Sequence, residues 1–246
     1  MALKAGPETQ AMLLDLQALD TRLAQLEHRV RSLPEHAALA ALATESGALR
    51  TRLAEQQGLL ENTRIELGRV EADVKVVETR IERDSQRLQA SSSVKDVAAL
   101  EQELQALRKR LDDLEEIELA VMERAEEQEA AVAGTEAALG AIASRTLDAE
   151  SARDVALASI EAERSTASAG RREIASKLPE DLLALYEKQR ARYGTGASLL
   201  RGGVSMASGV KLLEDELQKI RSAEPDDVLI CPSSDAILVR TDESGL

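Results

Sequence analysis

Apolar residues recur along this chain in alternating steps of three and four, in two long series separated by one polar break. The first series is Leu39, Leu42, Leu49, Leu53, Leu60, Leu67, Val70, Val74, Val77, Ile81 and Leu88. The second is Val97, Leu100, Leu104, Leu107, Leu111, Leu114, Val121, Val132, Leu139 and Ile142. Steps averaging about 3.5 place one narrow apolar stripe on each helix, and such a stripe is buried against a partner helix. The break is Ser91-Ser92-Ser93-Val94-Lys95-Asp96. A tight break between two matching stripes predicts an antiparallel coiled-coil hairpin with its tip at 91–96. Ser93 with Asp96 three residues on is a helix-start signal, a hydroxyl cap with an acid at the positive end of the helix dipole.

The same reading gives helices over about 8–31, 35–90 and 94–176. Pro7 sits where a missing amide costs nothing. Leu13, Leu16, Leu19 or Asp20, Leu23, Leu26 and Val30 give the first helix its apolar face. Ser32-Leu33-Pro34-Glu35 has the spacing of a capping box, predicting that Ser32 starts the second helix. The second arm's stripe weakens after Val132, with Gln128, Thr135, Thr146 and Arg153 on or near the seam. Gly134, Gly140 and Gly170 each cost about 1 kcal/mol relative to Ala there. This half is therefore expected to be more mobile or to pack on the first helix. Counting back from the tip sets residue 39 opposite about 145 and residues 8–31 beside 153–176, which favours packing.

After residue 178 the pattern changes. Pro179-Glu180-Asp181 opens a helix over about 179–192 that carries Leu182, Leu183, Leu185, Tyr186 and Tyr193. Gly194, Gly196, Gly202 and Gly203 mark the start of a small module. It holds a helix over about 212–222 and two strand-like runs, 227–231 and 236–241, joined by Pro232-Ser233-Ser234-Asp235. The predicted division is 1–178 for the hairpin and 179–246 for the C-terminal helix and module. The fold class is mainly α, with a small α+β end.

Composition agrees with that architecture. The chain has two Tyr, no Phe and no Trp, and 31% charged residues. A thick globular core normally uses aromatic area, whereas long helices do not. With 31 basic and 45 acidic residues the formal charge is −14, which opposes non-specific contact with nucleic acid or anionic lipid. No run has the length and apolarity of a membrane span, and no signal pattern opens the sequence, so a cytoplasmic protein with no membrane partner is expected. A monomer and a homodimer both satisfy the stripes.

Four stretches together carry a family resemblance. They are Leu14-Asp15-Leu16-Gln17-Ala18-Leu19-Asp20, Leu100-Glu101-Gln102-Glu103-Leu104, Pro179 through Tyr186, and the closing module. The chain resembles bacterial coiled-coil hairpin proteins with a C-terminal C4-type zinc ribbon, related to a chlamydial hypothetical protein and a flagellar-biogenesis protein of epsilonproteobacteria. The resemblance implies two C-x-x-C knuckles holding zinc in a tetrathiolate site. The matching positions here are Ser205, Ser208, Cys231 and Ser234. A serine hydroxyl stays protonated at neutral pH and binds zinc far less well than a thiolate, so the family's zinc is expected to be lost and no cofactor is predicted. His28 and His36, on the N-terminal helices, are read as solvated surface residues. A ribbon held by Val204, Val210, Leu213, Leu217, Ile220, Val228, Ile230, Ile237 and Val239, enlarged by the 182–193 helix, is the expected substitute.

Enzyme chemistry finds no support. Both histidines lie in the first 36 residues, Cys231 lacks an evident base, and the glycine pairs do not sit between a strand and a helix. Acidic pairs such as Asp112-Asp113 read as a solvated helix face. The tip offers only Asp96, which capping explains, instead of the paired carboxylates that an acidic metal-binding hairpin tip needs. Lys188, Arg190, Arg192, Arg201 and Lys211 form a basic cluster able to meet phosphates or a partner. Cations favoured at a helix C-terminus, together with solvated loop charges, are the plainer account of it. The reading is a non-enzymatic adaptor that binds a partner protein, a role the resemblance also implies. The alternative is nucleic-acid binding through residues 186–211.

Overall fold

The computed structural model describes residues 3–246. Five helices, α1 (Pro7–Arg31), α2 (Pro34–Ala90), α3 (Val94–Lys177), α4 (Glu180–Tyr193) and α5 (Glu214–Ser222), accompany four short strands. The strands are β1 (Ala197–Arg201), β2 (Val204–Ser205), β3 (Leu229–Ile230) and β4 (Ile237–Val239). Packing groups Glu35–Ser151 into one unit and the N-terminal segment to Pro34 with Ala152–Leu246 into another.

The unit Glu35–Ser151 is an antiparallel coiled-coil hairpin. Leu42, Leu60, Leu100, Leu104, Leu114, Val121, Ala125 and Ile142 are buried along its seam. Ion pairs Glu45–Arg145, Arg64–Glu129, Glu66–Arg124 and Arg80–Glu103 step down the two helices in opposite directions. Leu39 lines one cavity with Ala143, Thr146 and Leu147, close to the register counted from the tip, while Glu45 reaches Arg145 through two long exposed side chains. Where the apolar stripe weakens, Thr135 is buried and its hydroxyl donates to Gln56 Oε1 at 2.7 Å, so the seam continues through a polar rung. Asp84 lies buried beneath Arg80, Arg83 and Arg87 of its own helix. The hydrogen bonds and positive charge of Arg83 and Arg87 hold its carboxyl below the usual range against the opposing effect of burial. At the tip the Asp96 amide meets Ser93 Oγ at 3.4 Å, and Val97 N donates to Ser93 O at 2.9 Å, so Ser93 opens α3 as expected.

Ser32 acts differently from the sequence reading. Its hydroxyl donates to His28 O at 2.9 Å, so it closes α1, and α2 starts at Pro34. With α2 starting at Pro34 the cap position falls on Leu33, which has no side-chain acceptor, and Ser32 lies one residue too early to reach the N2 and N3 amides.

In the other unit α1 lies along the last turns of α3, with Leu19 3.5 Å from where a Cβ on Gly170 would stand. The sheet order is β2-β1-β4-β3, with β1 parallel to β4 and the other pairs antiparallel. Strand β4 is buried on both faces because side chains alternate along it. Ile237 and Val239 join Leu13, Leu16, Leu178, Leu182 and Tyr186 on one side. Leu238 joins Leu200, Leu212, Leu217, Ile220 and Cys231 on the other. The sheet is thus the middle layer between α1 with α4 and α5.

That layering corrects the expected core. Leu217, Ile220, Ile237 and Val239 are buried, but Val210, Leu213 and Ile230 are exposed, and Val204 and Val228 are half-buried. Ala197, Leu200 and Leu238 take their places because β1, unforeseen in the glycine-rich stretch, inserts beside β4. Two polar side chains complete the closure. Gln10 Nε2 donates to Ala5 O at 2.7 Å and to Pro225 O at 3.3 Å. Arg240 donates to the carbonyls of Ile220, Ala223, Glu224 and Asp227, satisfying the C-terminal end of α5.

Candidate functional site

Three polar constellations stand out, all within the unit that contains the sheet. The first joins α1, α3, α4 and β1. Tyr186 Oη donates to Asp20 Oδ2 at 2.7 Å, and Arg171 Nε donates to Asp20 Oδ1 at 2.6 Å. Arg171 also meets Glu187, which Arg190 holds from the other side at 2.7 Å. Gln17 Oε1 accepts from the Gly196 amide at 2.7 Å. Burial, reinforced by the Asp20 hydrogen bond and charge, pushes the Tyr186 hydroxyl well above its ordinary range. Burial pushes the Glu187 carboxyl up, but hydrogen bonds and charge from Arg190 and Arg171 outweigh it and hold it low. Every member faces an opposite charge or a hydrogen-bond partner, so the group is a joint and not a reactive centre.

Sequence reasoning placed Asp20 on the face of the first helix, Tyr186 on the 179–192 helix and Arg190 in the basic cluster, and brought none of them together. The available signal was Asp20 itself, a carboxylate one turn after Leu16 on an otherwise apolar face. A buried carboxylate requires a partner, but nothing local indicates that the partners are Tyr186 and Arg171.

The second constellation is the basic cluster. Lys188, Arg192 and Lys211 are exposed, with the Arg192 guanidinium 5.2 Å from the centre of the Tyr193 ring. Arg190 is committed to Glu187 and lies 3.5 Å from Asp20, and Arg201 pairs with Glu243 at 3.0 Å. Two of the five cations therefore already face carboxylates, one of them 170 residues away in sequence, which no local charge count anticipates.

The third is formed by two loops of equal length. In Ser205–Gly209, Ser205 N donates to Val210 O at 3.1 Å and Gly209 N donates to Ser205 O at 2.8 Å. In Cys231–Asp235, Cys231 N donates to Ala236 O at 2.8 Å and Asp235 N donates to Cys231 O at 2.9 Å. The fifth residue of each is left-handed, Gly209 at φ 68° and Asp235 at φ 56°. The loops meet through Ser208 Oγ and Ser233 Oγ, 3.1 Å apart, and Cys231 Sγ lies 3.2 Å from Ser233 Oγ. Ser205 and Cys231 are fully buried. The Ser205 and Ser234 hydroxyls also bear on the sulfur, although Ser234 Oγ makes no hydrogen bond of normal geometry. Burial pushes the thiol up and these hydroxyls more than offset it, leaving it below its ordinary value. One thiol and three hydroxyls do not fit a zinc ion, which needs deprotonated donors. No group of three or more His, Cys, Asp or Glu stands ready for a metal among the described residues.

Comparison with known proteins follows the same lines as the geometry. Residues 16–194 match the family model of the CT398-like coiled coil hairpin domain. The chain belongs to this family. An uncharacterized protein of Mycobacterium tuberculosis strain H37Rv is 35% identical over 239 residues, covering 97% of this chain and 98% of that protein. A solved structure from Mycobacterium smegmatis is 33% identical, covers 97% of this chain and all of that one, and superposes with a TM-score of 0.85. CT398 from Chlamydia trachomatis is 16% identical over 95% of this chain and 98% of its own, with a TM-score of 0.65, a likeness of fold. The family description is of a coiled-coil hairpin, and these relatives' descriptions assign no reaction. No helix among the described residues is long and apolar enough to cross a membrane.

Proposed function

We propose that this chain is a non-enzymatic cytosolic adaptor that docks a partner protein on its sheet-containing unit and uses the hairpin as a stiff spacer. The observation that carries the reading is a shallow groove between α1 and β1, lined by Leu14, Ala18, Leu199, Met206, Gln17 and Thr195. Met206 is 54% exposed at this groove, whose rim carries Gln17, Thr21 and Gln25. Apolar side chains gathered at a polar-rimmed groove mark a protein-binding surface, whereas apolar residues scattered singly on a helix do not. The hairpin suits the spacer role because one buried seam pairs two long helices, while charged residues and apolar ones such as Leu59, Val76 and Leu119 face outward along it.

The test is affinity capture with crosslinking from the native cell, using wild type, Met206→Asp and Leu199→Glu. A specific protein retained by wild type and lost by both variants supports the reading. A partner retained by both moves the docking surface elsewhere. Nucleic-acid binding is the alternative, resting on Lys188, Arg192 and Lys211 with the already paired Arg190 and Arg201. A salt-dependent gel shift abolished by reversing Arg192 and Lys211 would replace the adaptor reading.

A further inference from the structure

The two loops that present Ser205, Ser208, Cys231 and Ser234 are the same object built twice. Each has its first amide bonded to the carbonyl five residues on, and its first carbonyl bonded to the amide four residues on. Each ends in a left-handed residue. In the first loop that residue is Gly209, which takes the conformation at no steric cost. In the second it is Asp235, the only non-glycine residue with positive φ among the described residues. Repeating this geometry with an Asp costs backbone energy, and the surroundings must enforce it. In each loop the first and fourth side chains are the ones named above, and the loops meet at the Ser208–Ser233 contact.

We infer that these loops form a metal-free clamp, in which a hydroxyl–thiol cluster closes a backbone cage shaped for four thiolates around a soft divalent ion. Three features supply the closure. The Ser198 hydroxyl accepts the Ala207 amide at 2.7 Å and lies 3.5 Å from Ser205 Oγ, which fixes the first loop on β1. Cys231 is packed in the apolar layer with Leu200, Leu212, Leu217, Ile220 and Leu238, so its side chain serves as core. The Ser233 hydroxyl lies 3.2 Å from the sulfur, where metal–ligand bonds would otherwise converge. A structural zinc normally contributes folding free energy outright. Here the layer on α5 and the bonds from Arg240 to the carbonyls of Ile220 and Ala223 at its end take over that task.

The test uses the full chain in reducing buffer. Wild type is expected to purify without stoichiometric zinc and to keep its thermal midpoint in excess chelator. The variant Ser205→Cys, Ser208→Cys, Ser234→Cys is expected to bind about one zinc per chain. It should show the visible bands of a tetrahedral thiolate site with cobalt and melt higher with metal than with chelator. Because Ser205 is fully buried, the double variant Ser208→Cys, Ser234→Cys keeps the question open if the triple variant fails to fold. With Cys231 it offers three thiols and is expected to bind cobalt more weakly. Stoichiometric zinc in wild type, or a midpoint that chelator lowers, overturns the metal-free clamp. A folded double or triple variant that binds neither cobalt nor zinc overturns the cage.

Discussion

The Tyr186 hydroxyl donates to Asp20 Oδ2 at 2.7 Å across 166 residues of sequence. That bond joins α1 to α4 at a point where Arg171 of α3 grips the same carboxylate. One carboxylate thus holds three helices around the face of the sheet that carries Ile237 and Val239.

Removing either partner should show how unequal their roles are. Tyr186→Phe keeps the ring and loses one hydrogen bond to a charged group, a cost of about 2 kcal/mol. Asp20→Ala removes the acceptor of the Tyr186 hydroxyl and one of the two carboxylates that hold Arg171, and should cost about 3 kcal/mol. Urea unfolding of the three proteins checks the order. Equal midpoints for wild type and Asp20→Ala would mean that the joint contributes nothing.

The joint also gives stability a pH dependence of known sign. Tyr186 keeps its proton in the fold more tightly than in the unfolded chain, so its contribution is full below its ordinary value of 10.0 and lost as pH rises above it. Glu187 titrates lower in the fold than its ordinary 4.5, so its contribution is present above that value and lost as pH falls below it. Tyr186→Phe should therefore flatten the decline in stability that sets in above about pH 10. Glu187→Gln should flatten the decline on the acid side. Denaturation curves across the pH range read both effects.

Gly196 is held to glycine by space and not by backbone angle. A Cβ there would sit 2.5 Å from Cδ2 and Cε2 of the Tyr186 ring. The ring cannot swing away without breaking its bond to Asp20. Gly196→Ala is expected to cost about 2 kcal/mol through overpacking. In a Tyr186→Leu background the same change should cost less, a coupling that a double-mutant cycle measures.

In the hairpin the register is open to direct test. Thr135 and Gln56 touch across the seam at 2.7 Å. With Cys231 replaced by Ser, Gln56→Cys and Thr135→Cys should link within one molecule through a short bifunctional maleimide. Linkage only between molecules would show that the arms pair in a dimer. Arg64→Ala, by contrast, should cost less than about 1 kcal/mol, since Arg64 and Glu129 are 55% and 51% exposed.

The helices α1 to α4 were legible in the chain because each is a local, periodic signal. The stripe of Leu60, Leu100, Leu104, Leu114 and Val121 needs only a partner helix, and Ser91–Ser93 supplies the reversal. Gly194 stopped α4 as expected, with φ 82°. The register of the arms was legible only by counting from the tip, which sets Leu39 near residues 143–147 as the structure does, because heptads repeat and carry no register of their own.

The sheet and the joint were decided only by tertiary structure. Strand β1 is five residues among glycines, and its pairing with β4 spans the whole module, so no nearby residue announces it. Asp20 on an apolar face signals that a partner exists. Which side chains answer it depends on α1, α3 and α4 arriving at one place, and that convergence comes from burying Leu13, Leu16, Leu182 and Tyr186 against Ile237 and Val239. Sequence periodicity fixes what each helix must hide. Only the packed chain decides what hides it, because burial free energy depends on the area covered and is indifferent to separation along the chain.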